Sequence, residues 1–188
     1  MRKPAASVPG ANSPRNRDSG PMALSALPVT EVLVVADCWQ TEPDAEAVIH
    51  RAIATAAEIA NADHGEAELA VMLTDDDGIR TLNSNWRGID KPTNVLSFPA
   101  ATTKASIRMP LFGDIVMAYE TLKRECDDED RIFLHHLAHL TVHGFLHLIG
   151  YDHQVEAQAE EMEGLESKIM TRMQMPDPHL ARDLNRDA

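Results

Sequence analysis

The sequence predicts an α+β domain in which a small mixed sheet of four strands is surrounded by about five helices. Short β-branched, apolar segments alternate with longer segments that have the periodicity of amphipathic helices, and no internal repeat interrupts this pattern. Hydrophobic residues make up 44% of the chain and aromatic residues only 4%, so aliphatic side chains and methionine have to fill the core. The length of 188 residues suits one domain, which we expect over residues 27–175.

The two ends of the chain differ in composition from this domain. Residues 1–26 are rich in Pro, Ser, Ala, Asn and Arg and have no apolar periodicity, which predicts a disordered N-terminal tail. Residues 176–188 contain Pro176 and Pro178 close together, and we expect a flexible C-terminal tail there.

The first half of the domain predicts two strands, each followed by a helix. Val29–Ala36 is apolar and β-branched, as in a strand, and Pro43–Ala62 is an alanine-rich amphipathic helix with proline in its first turn. Ala67–Leu73 is a second strand. We expect Thr74 to cap a short helix that ends at Asn85, with the acidic triplet after the cap at the positive end of the helix dipole.

The second half predicts a pair of strands and three helices. The strands Asn94–Phe98 and Leu111–Ala118 should pair as a hairpin. The helices are expected, in chain order, over Tyr119–Cys126, Arg131–Ile149 and Glu156–Met173.

Charge and cysteine usage limit the class of protein. Cys38 and Cys126 are far apart and match no metal-binding spacing, which is typical of a reducing compartment, so we expect a cytoplasmic protein. No apolar run approaches the roughly 18 residues of a membrane span, and the N-terminus lacks an apolar signal core. A net charge of -13 argues against broad, charge-driven nucleic-acid binding but leaves room for a local basic site.

Residues 143–153 carry the strongest functional signal. His143 and His147 are four residues apart, so a helix places both imidazoles on one face. Gly150 can adopt the left-handed conformation that ends helices, which allows His153 to return to the same point. Three imidazoles with a fourth position left open are typical of catalytic zinc, and this places the metal site on the long histidine-bearing helix.

The same spacing occurs in metzincin proteases, with one difference. Their general base is a glutamate directly after the first histidine, and this chain has Gly144 there, so a peptidase is the weakest alternative. The earlier histidines of the helix have no matching glycine and third histidine behind them. We expect these residues to be packed or to support the ligands, and His139 in particular not to bind the metal; they are His135, His136 and His139.

Residues 82–99 form the second informative segment. The pattern ends a helix, turns through Gly88 and Pro92, and enters a strand. Arg87 and Lys91 place cationic groups on this turn, and the planar guanidinium suits a pair of phosphate oxygens. Taken alone, an arginine such as Arg87 is more often an ordinary surface charge.

Together these segments resemble the YbeY family of bacterial rRNA maturation factors, which are regarded as metal-dependent endoribonucleases. The similarity extends over roughly residues 29 to 170. It rests on the histidine segment His143–His153, on Leu82-Asn83, on Trp86-Arg87, on Pro92–Pro99 and on Gly113-Asp114-Ile115. This chain departs from the family in having Asn94 where Asp is common, which puts a charged role at that position in doubt, and Trp86 where Tyr or Phe is frequent.

The resemblance implies a single metal-dependent hydrolase domain in which His143, His147 and His153 bind one zinc ion. It also implies that Arg87 is a catalytic residue. The implied activity is cleavage of single-stranded RNA in the maturation of rRNA, including the 3′ end of 16S rRNA, and in ribosome quality control. The expected partners are RNA and the ribosome or its small-subunit proteins, with neither a membrane nor DNA among them.

Two questions stay open at this level. The residues do not identify a general base, so either a metal-activated water or the RNA 2′-hydroxyl could attack the phosphate. The metal could also be structural, in which case the chain would be a ribosome-associated assembly factor with little catalysis.

Deletion of residues 1–21 should leave folding intact, because these residues contribute no periodic apolar face to a core. The measurement is thermal unfolding of the truncated and full-length proteins. A melting temperature several degrees lower in the truncated protein would contradict the prediction.

Overall fold

A four-stranded mixed sheet forms the centre of the structure, as the sequence predicts. The computed structural model describes residues 27–61, 67–100, 111–153 and 155–180, so the tail expected over residues 1–26 lies outside the described part. The strands are β1 (Val29–Val34), β2 (Glu68–Thr74), β3 (Val95–Pro99) and β4 (Leu111–Ala118). Their order in the sheet is β1-β2-β4-β3. Strands β1, β2 and β4 are parallel, and β3 is antiparallel to β4. The expected pairing of the third and fourth strands is therefore confirmed.

Five α-helices surround the sheet in the described ranges, which confirms the predicted fold class. They are α1 (Ala45–Ile59), α2 (Asp76–Arg87), α3 (Tyr119–Glu129), α4 (Phe133–Leu148) and α5 (Glu156–Arg172). A short 3₁₀ helix over Asp37–Thr41 precedes α1 and has no counterpart in the sequence prediction. Across the described ranges, no helix combines the length and the apolar character that crossing a membrane requires.

The capping residue of α2 differs from the prediction. Thr74 is the last residue of β2, and Asp75 is the N-cap, whose carboxylate accepts a hydrogen bond of 2.8 Å from the amide of Gly78. The next acidic residue, Asp76, accepts hydrogen bonds from the amide and hydroxyl of Thr121 at 3.0 and 2.6 Å. The acidic triplet therefore both caps α2 and joins it to α3.

The two faces of the sheet are covered by different helices, because side chains alternate along each strand. Ile115 and Met117 of β4 face the main core, which α1, α4 and α5 complete. Val116 and Ala118 face α2 and form a smaller core with its Ile79. Helix α4 thus lies on one face of the sheet and α2 on the other.

Gly144 allows α4 to lie close to the sheet. A Cβ atom at this position would be 3.0 Å from Ser97 Oγ on β3 and 3.2 Å from Ile115 Cγ2 on β4. Those contacts leave no room for a longer side chain. The position that carries the general base in zincin proteases points here into the sheet, which removes the structural basis of the peptidase alternative.

Contacts with α5 extend past residue 175, the last residue of the expected domain. The hydroxyl of Ser167 and the amide of His179 both donate to Asp177 Oδ1 at 2.9 Å. The imidazole of His179 lies 2.6 Å from the carboxylate of Glu166. The chain is therefore held against α5 as far as His179, beyond the expected end of the domain at residue 175, and residues 181–188 lie outside the described part.

Gly144→Glu should lower the free energy of unfolding by about 3 kcal/mol or more, because it overpacks the interface between α4 and the sheet and buries a carboxylate. Gly164→Glu is the matched control, since a Cβ there meets no atom within 4 Å, and it should change the free energy by less than about 1 kcal/mol. Chemical denaturation gives both values. Equal losses in the two variants would show that the close approach at Gly144 is unimportant.

Candidate metal centre

Three histidines converge at the C-terminal end of α4. His143 and His147 belong to the helix, and Gly150, with a φ of 96°, turns the chain so that His153 returns toward them. One ligand nitrogen from each imidazole lies within 4.8 Å of the other two. The ring centroids of His143 and His147 are 4.6 Å apart, and that of His153 lies 5.0 Å from His147 and 5.5 Å from His143. The structure thus brings together the three residues that the sequence singles out.

Hydrogen bonds at the Nδ1 atoms fix the tautomers of two of these rings. His147 Nδ1 lies 3.0 Å from the carbonyl oxygen of Tyr151, which can only accept, so the proton is on Nδ1. His143 Nδ1 lies 2.8 Å from a carboxylate oxygen of Glu166 and donates in the same way. Both Nε2 atoms then carry lone pairs, and they face each other at 3.1 Å. Two lone pairs at this distance repel unless a cation lies beside both, so the donor set fits a metal ion.

The pKa of His147 is lowered from its ordinary value. The main cause is burial, and the neighbouring imidazoles His143 and His153 add to it. The neutral form, which has a lone pair for a metal, is therefore favoured near neutral pH.

Glu166 is the acidic residue on which this arrangement is built. Its side chain is only 2% exposed, and its two oxygens lie 2.8 Å from His143 Nδ1, 3.3 Å from His139 Nε2 and 2.6 Å from His179 Nε2. Burial alone would raise the pKa of Glu166, but the hydrogen bonds from the three imidazoles outweigh it and lower the pKa well below its ordinary value. The carboxylate therefore stays ionised and orients His143.

The sequence prediction missed Glu166, although a signal for it exists. Helix α5 buries Met162, Ile169 and Met170 against the core, and Glu166 lies in the same stripe at the helical spacing. An acidic residue inside an apolar stripe needs a buried partner. That signal points to a polar network without identifying its members.

A second group of side chains could also hold a metal by geometry. It consists of His139, Glu166 and His179, whose ligand atoms lie within 4.8 Å of one another. In this group the Glu166 carboxylate accepts hydrogen bonds directly from His139 and His179. The donors and acceptors therefore satisfy one another without a cation. The His143 group fits a metal better. His139 lies outside that group and in the carboxylate network, and its supporting role stays a prediction.

A second carboxylate network borders the same helix. Glu125 of α3 lies 2.7 Å from the Nε2 atom of buried His136, and both of its oxygens accept hydrogen bonds of 3.1 Å from the Asn94 amide. Burial would raise the pKa of Glu125, but the hydrogen bonds from His136 and Asn94 lower it. An ionised aspartate in place of Asn94 could not donate to this carboxylate, so asparagine suits the network.

A cleft of about 480 Å³ opens beside the histidine triad. Residues from both carboxylate networks line it together with His143 and His153, and Arg131 is the one arginine among the described lining residues. Arg87, which the resemblance implies to be catalytic, is not part of this lining, so the structure does not place it beside the histidine triad. It is exposed at the last turn of α2, on the far side of edge strand β3 from α4.

Comparison with known proteins identifies the family of this chain. A family model described as Endoribonuclease YbeY matches residues 36–174. The chain belongs to the endoribonuclease YbeY family. A relative from Bradyrhizobium sp. (strain BTAi1), named Endoribonuclease YbeY, is 61% identical over 166 residues, which cover 86% of this chain and 98% of the relative. One of the same name from Nitrobacter winogradskyi is 63% identical over 163 residues, covering 84% of this chain and 85% of the relative.

A solved structure also shares the fold. The solution structure of TM1509 from Thermotoga maritima matches with a TM-score of 0.51 and 22% identity, covering 80% of this chain and 98% of that protein. This likeness concerns the fold alone. The family resemblance drawn from the sequence segments is confirmed by the family model and the curated relatives.

Glu166→Gln should weaken metal binding about 10- to 100-fold, because the neutral amide no longer holds the proton on His143 Nδ1. Competition with a chelator of known affinity measures the change. Glu161→Gln is the matched control, since it removes an exposed carboxylate from the same helix. Unchanged affinity in Glu166→Gln would contradict the orienting role.

Proposed function

We propose that this family member is a zinc-dependent, single-strand-specific endoribonuclease of the cytoplasm. Its proposed tasks are rRNA maturation, including the 3′ end of 16S rRNA, and ribosome quality control, with RNA and the ribosome or its small-subunit proteins as partners. Membership of the endoribonuclease YbeY family supports the substrate class. The observation that supports the metal is the 3.1 Å separation of the Nε2 atoms of His143 and His147, whose Nδ1 atoms are each engaged by an acceptor.

His143, His147 and His153 would hold the zinc ion. Zinc bound by three imidazoles supplies Lewis-acid chemistry, in which a phosphoryl oxygen is polarised and the pKa of a water is lowered toward roughly 7. The protein contributes fixed ligand orientations through the Glu166 carboxylate and the Tyr151 carbonyl. Both partners keep the Nδ1 protons in place, so the Nε2 lone pairs stay directed at one point.

The number of ligands favours an enzyme over an assembly factor with a structural metal. Among the described residues, the group contains the three histidines and no fourth side chain. An open position is what a substrate oxygen or a water requires, whereas structural zinc sites are usually closed by four protein ligands. The adjacent cleft gives this position access from solvent.

Arg87 is proposed to contact the phosphates of the RNA rather than the metal site directly. Its guanidinium is exposed, and its planar fork suits phosphate oxygens. Because β3 lies between α2 and α4, RNA that crosses this edge strand toward the triad would meet Arg87 on its path.

His147→Ala should lose the bound metal and abolish cleavage of single-stranded RNA, because two imidazoles hold zinc far more weakly than three. His135→Ala is the matched control on the same helix outside the triad, and it should keep both properties. Metal analysis and an RNA cleavage assay on the same preparations give the result. Normal cleavage by His147→Ala would overturn the proposal, and a metal-loaded wild type that cleaves no RNA would favour the assembly factor.

Arg87→Glu should strongly reduce RNA cleavage at low substrate concentration, because it places a like charge against the phosphates, while zinc content and thermal stability stay near wild type. Arg87→Lys should retain part of the activity, since it keeps the charge and loses the bidentate fork. Arg172→Glu, an exposed arginine on α5, controls for the added negative charge. Normal cleavage by Arg87→Glu, or its loss of zinc and unfolding, would remove Arg87 from the substrate-binding residues.

A further inference from the structure

The two tryptophans of the chain have opposite environments. Trp39 is 3% exposed and lies in the main core, where its indole donates to the carbonyl of Thr74. Trp86 is 72% exposed at the end of α2, with its ring centroid 5.7 Å from that of Phe98 on β3. An exposed indole that packs on a second ring offers a flat apolar face of fixed orientation to a ligand.

The turn after Trp86 is held in place by backbone hydrogen bonds. Gly88 has a φ of 70° and closes α2 by donating to the carbonyl of Ser84 at 3.0 Å. The amide of Ile89 donates to the carbonyl of Asn83 at 3.3 Å, and the side-chain amide of Asn83 donates to the carbonyl of Lys91 at 2.8 Å. The turn therefore presents its side chains from a fixed frame.

Two cations accompany the exposed ring. Arg87 and Lys91 are both exposed and have no ion pair within the described part of the chain. The nearby carboxylate of Asp90 is engaged by Arg80, at 2.7 and 2.9 Å. Unpaired cations beside an exposed indole stand out on a chain with a net charge of -13.

Strand β3 connects this surface with the metal centre. Its first residue, Val95, lines the cleft that contains His143, and its fourth, Phe98, lies under Trp86. Three residues of extended strand span about 10 Å. Because side chains alternate along a strand, Val95 points to the α4 face and Phe98 to the α2 face, so a single strand of nucleic acid that reaches both places has to pass around the sheet edge at β3.

We propose that Trp86 is a stacking platform for a base of single-stranded RNA that flanks the cleaved phosphate, with Arg87 and Lys91 contacting neighbouring phosphates. The inference rests on the proposed function and adds the site that holds the substrate. A supported aromatic ring beside cations is how proteins bind unpaired bases without reading their sequence. Docking of a protein would call for a larger apolar patch, and among the large hydrophobic side chains described in this turn, Ile89, 44% exposed, is the one that adds to the ring.

Trp86 also provides the signal for a test, because Trp39 is buried. A 2′-O-methyl oligoribonucleotide of roughly ten nucleotides cannot be attacked by its own 2′-hydroxyl and covers a typical single-strand site, and gel electrophoresis after the titration checks that it is intact. Its addition to the zinc-loaded wild type should quench the tryptophan emission. Trp86→Phe should lose the quenching and keep most of the affinity, whereas Trp86→Leu should weaken binding about 5- to 100-fold. Ile89→Ala is the matched control for loss of apolar surface on the turn and should bind within about twofold of wild type.

A second oligomer of the same length with abasic sugars separates stacking from phosphate contacts. The wild type should bind it as weakly as Trp86→Leu binds the complete oligomer, and Trp86→Leu should cause no further loss. The proposal is overturned if Trp86→Leu binds the complete oligomer as tightly as wild type, an outcome that would assign the ring to a protein partner. Base-dependent quenching by a wild type that cleaves no RNA would retain the platform and reject the proposed nuclease activity, so the two failures are distinguishable.

Discussion

The buried carboxylate of Glu166 is the interaction on which the metal centre depends. A charge at 2% exposure is tolerated only with close partners, and three imidazoles from α4 and the C-terminal segment supply them. The same contacts join α5 to α4, fix the chain near His179, and determine which nitrogen of His143 faces the triad. Removal of this carboxylate would therefore disturb both packing and ligand orientation.

The stripe of histidines on α4 gains a physical explanation from its neighbours. Residues four apart on a helix drift by about 40° around the axis, and residues three apart by about 60° in the other sense, so the histidines of α4 do not all face one element. His136 faces the carboxylate of α3, His139 and His143 face that of α5, and His147 faces the turn after the helix. Gly144 meanwhile keeps the opposite side of α4 against the sheet. One helix thus carries the ligands, their supporting network and the contact with the core.

The sequence predicts the features that depend on local patterns. The strands and helices follow from apolar periodicity, and the convergence of His143, His147 and His153 follows from helical spacing and the turn at Gly150. The partners of Glu166 depend on how α4 and α5 pack, which local patterns do not encode. The N-cap of α2 is Asp75, one residue after the predicted Thr74, because β2 continues through Thr74. The pairing of β2 with its neighbouring strands decides this boundary, and local sequence patterns do not encode that pairing.

The central claim is that one metal ion lies between the three histidines with its ligand nitrogens set by Glu166 and the Tyr151 carbonyl. Anomalous diffraction at the zinc edge from crystals of the protein as purified tests it most directly. The account predicts one peak, about 2.0 to 2.1 Å from Nε2 of His143, Nε2 of His147 and a ring nitrogen of His153, with no fourth protein ligand. A peak only between His139, Glu166 and His179, or a loaded protein in which His153 points away from the ion, would contradict it.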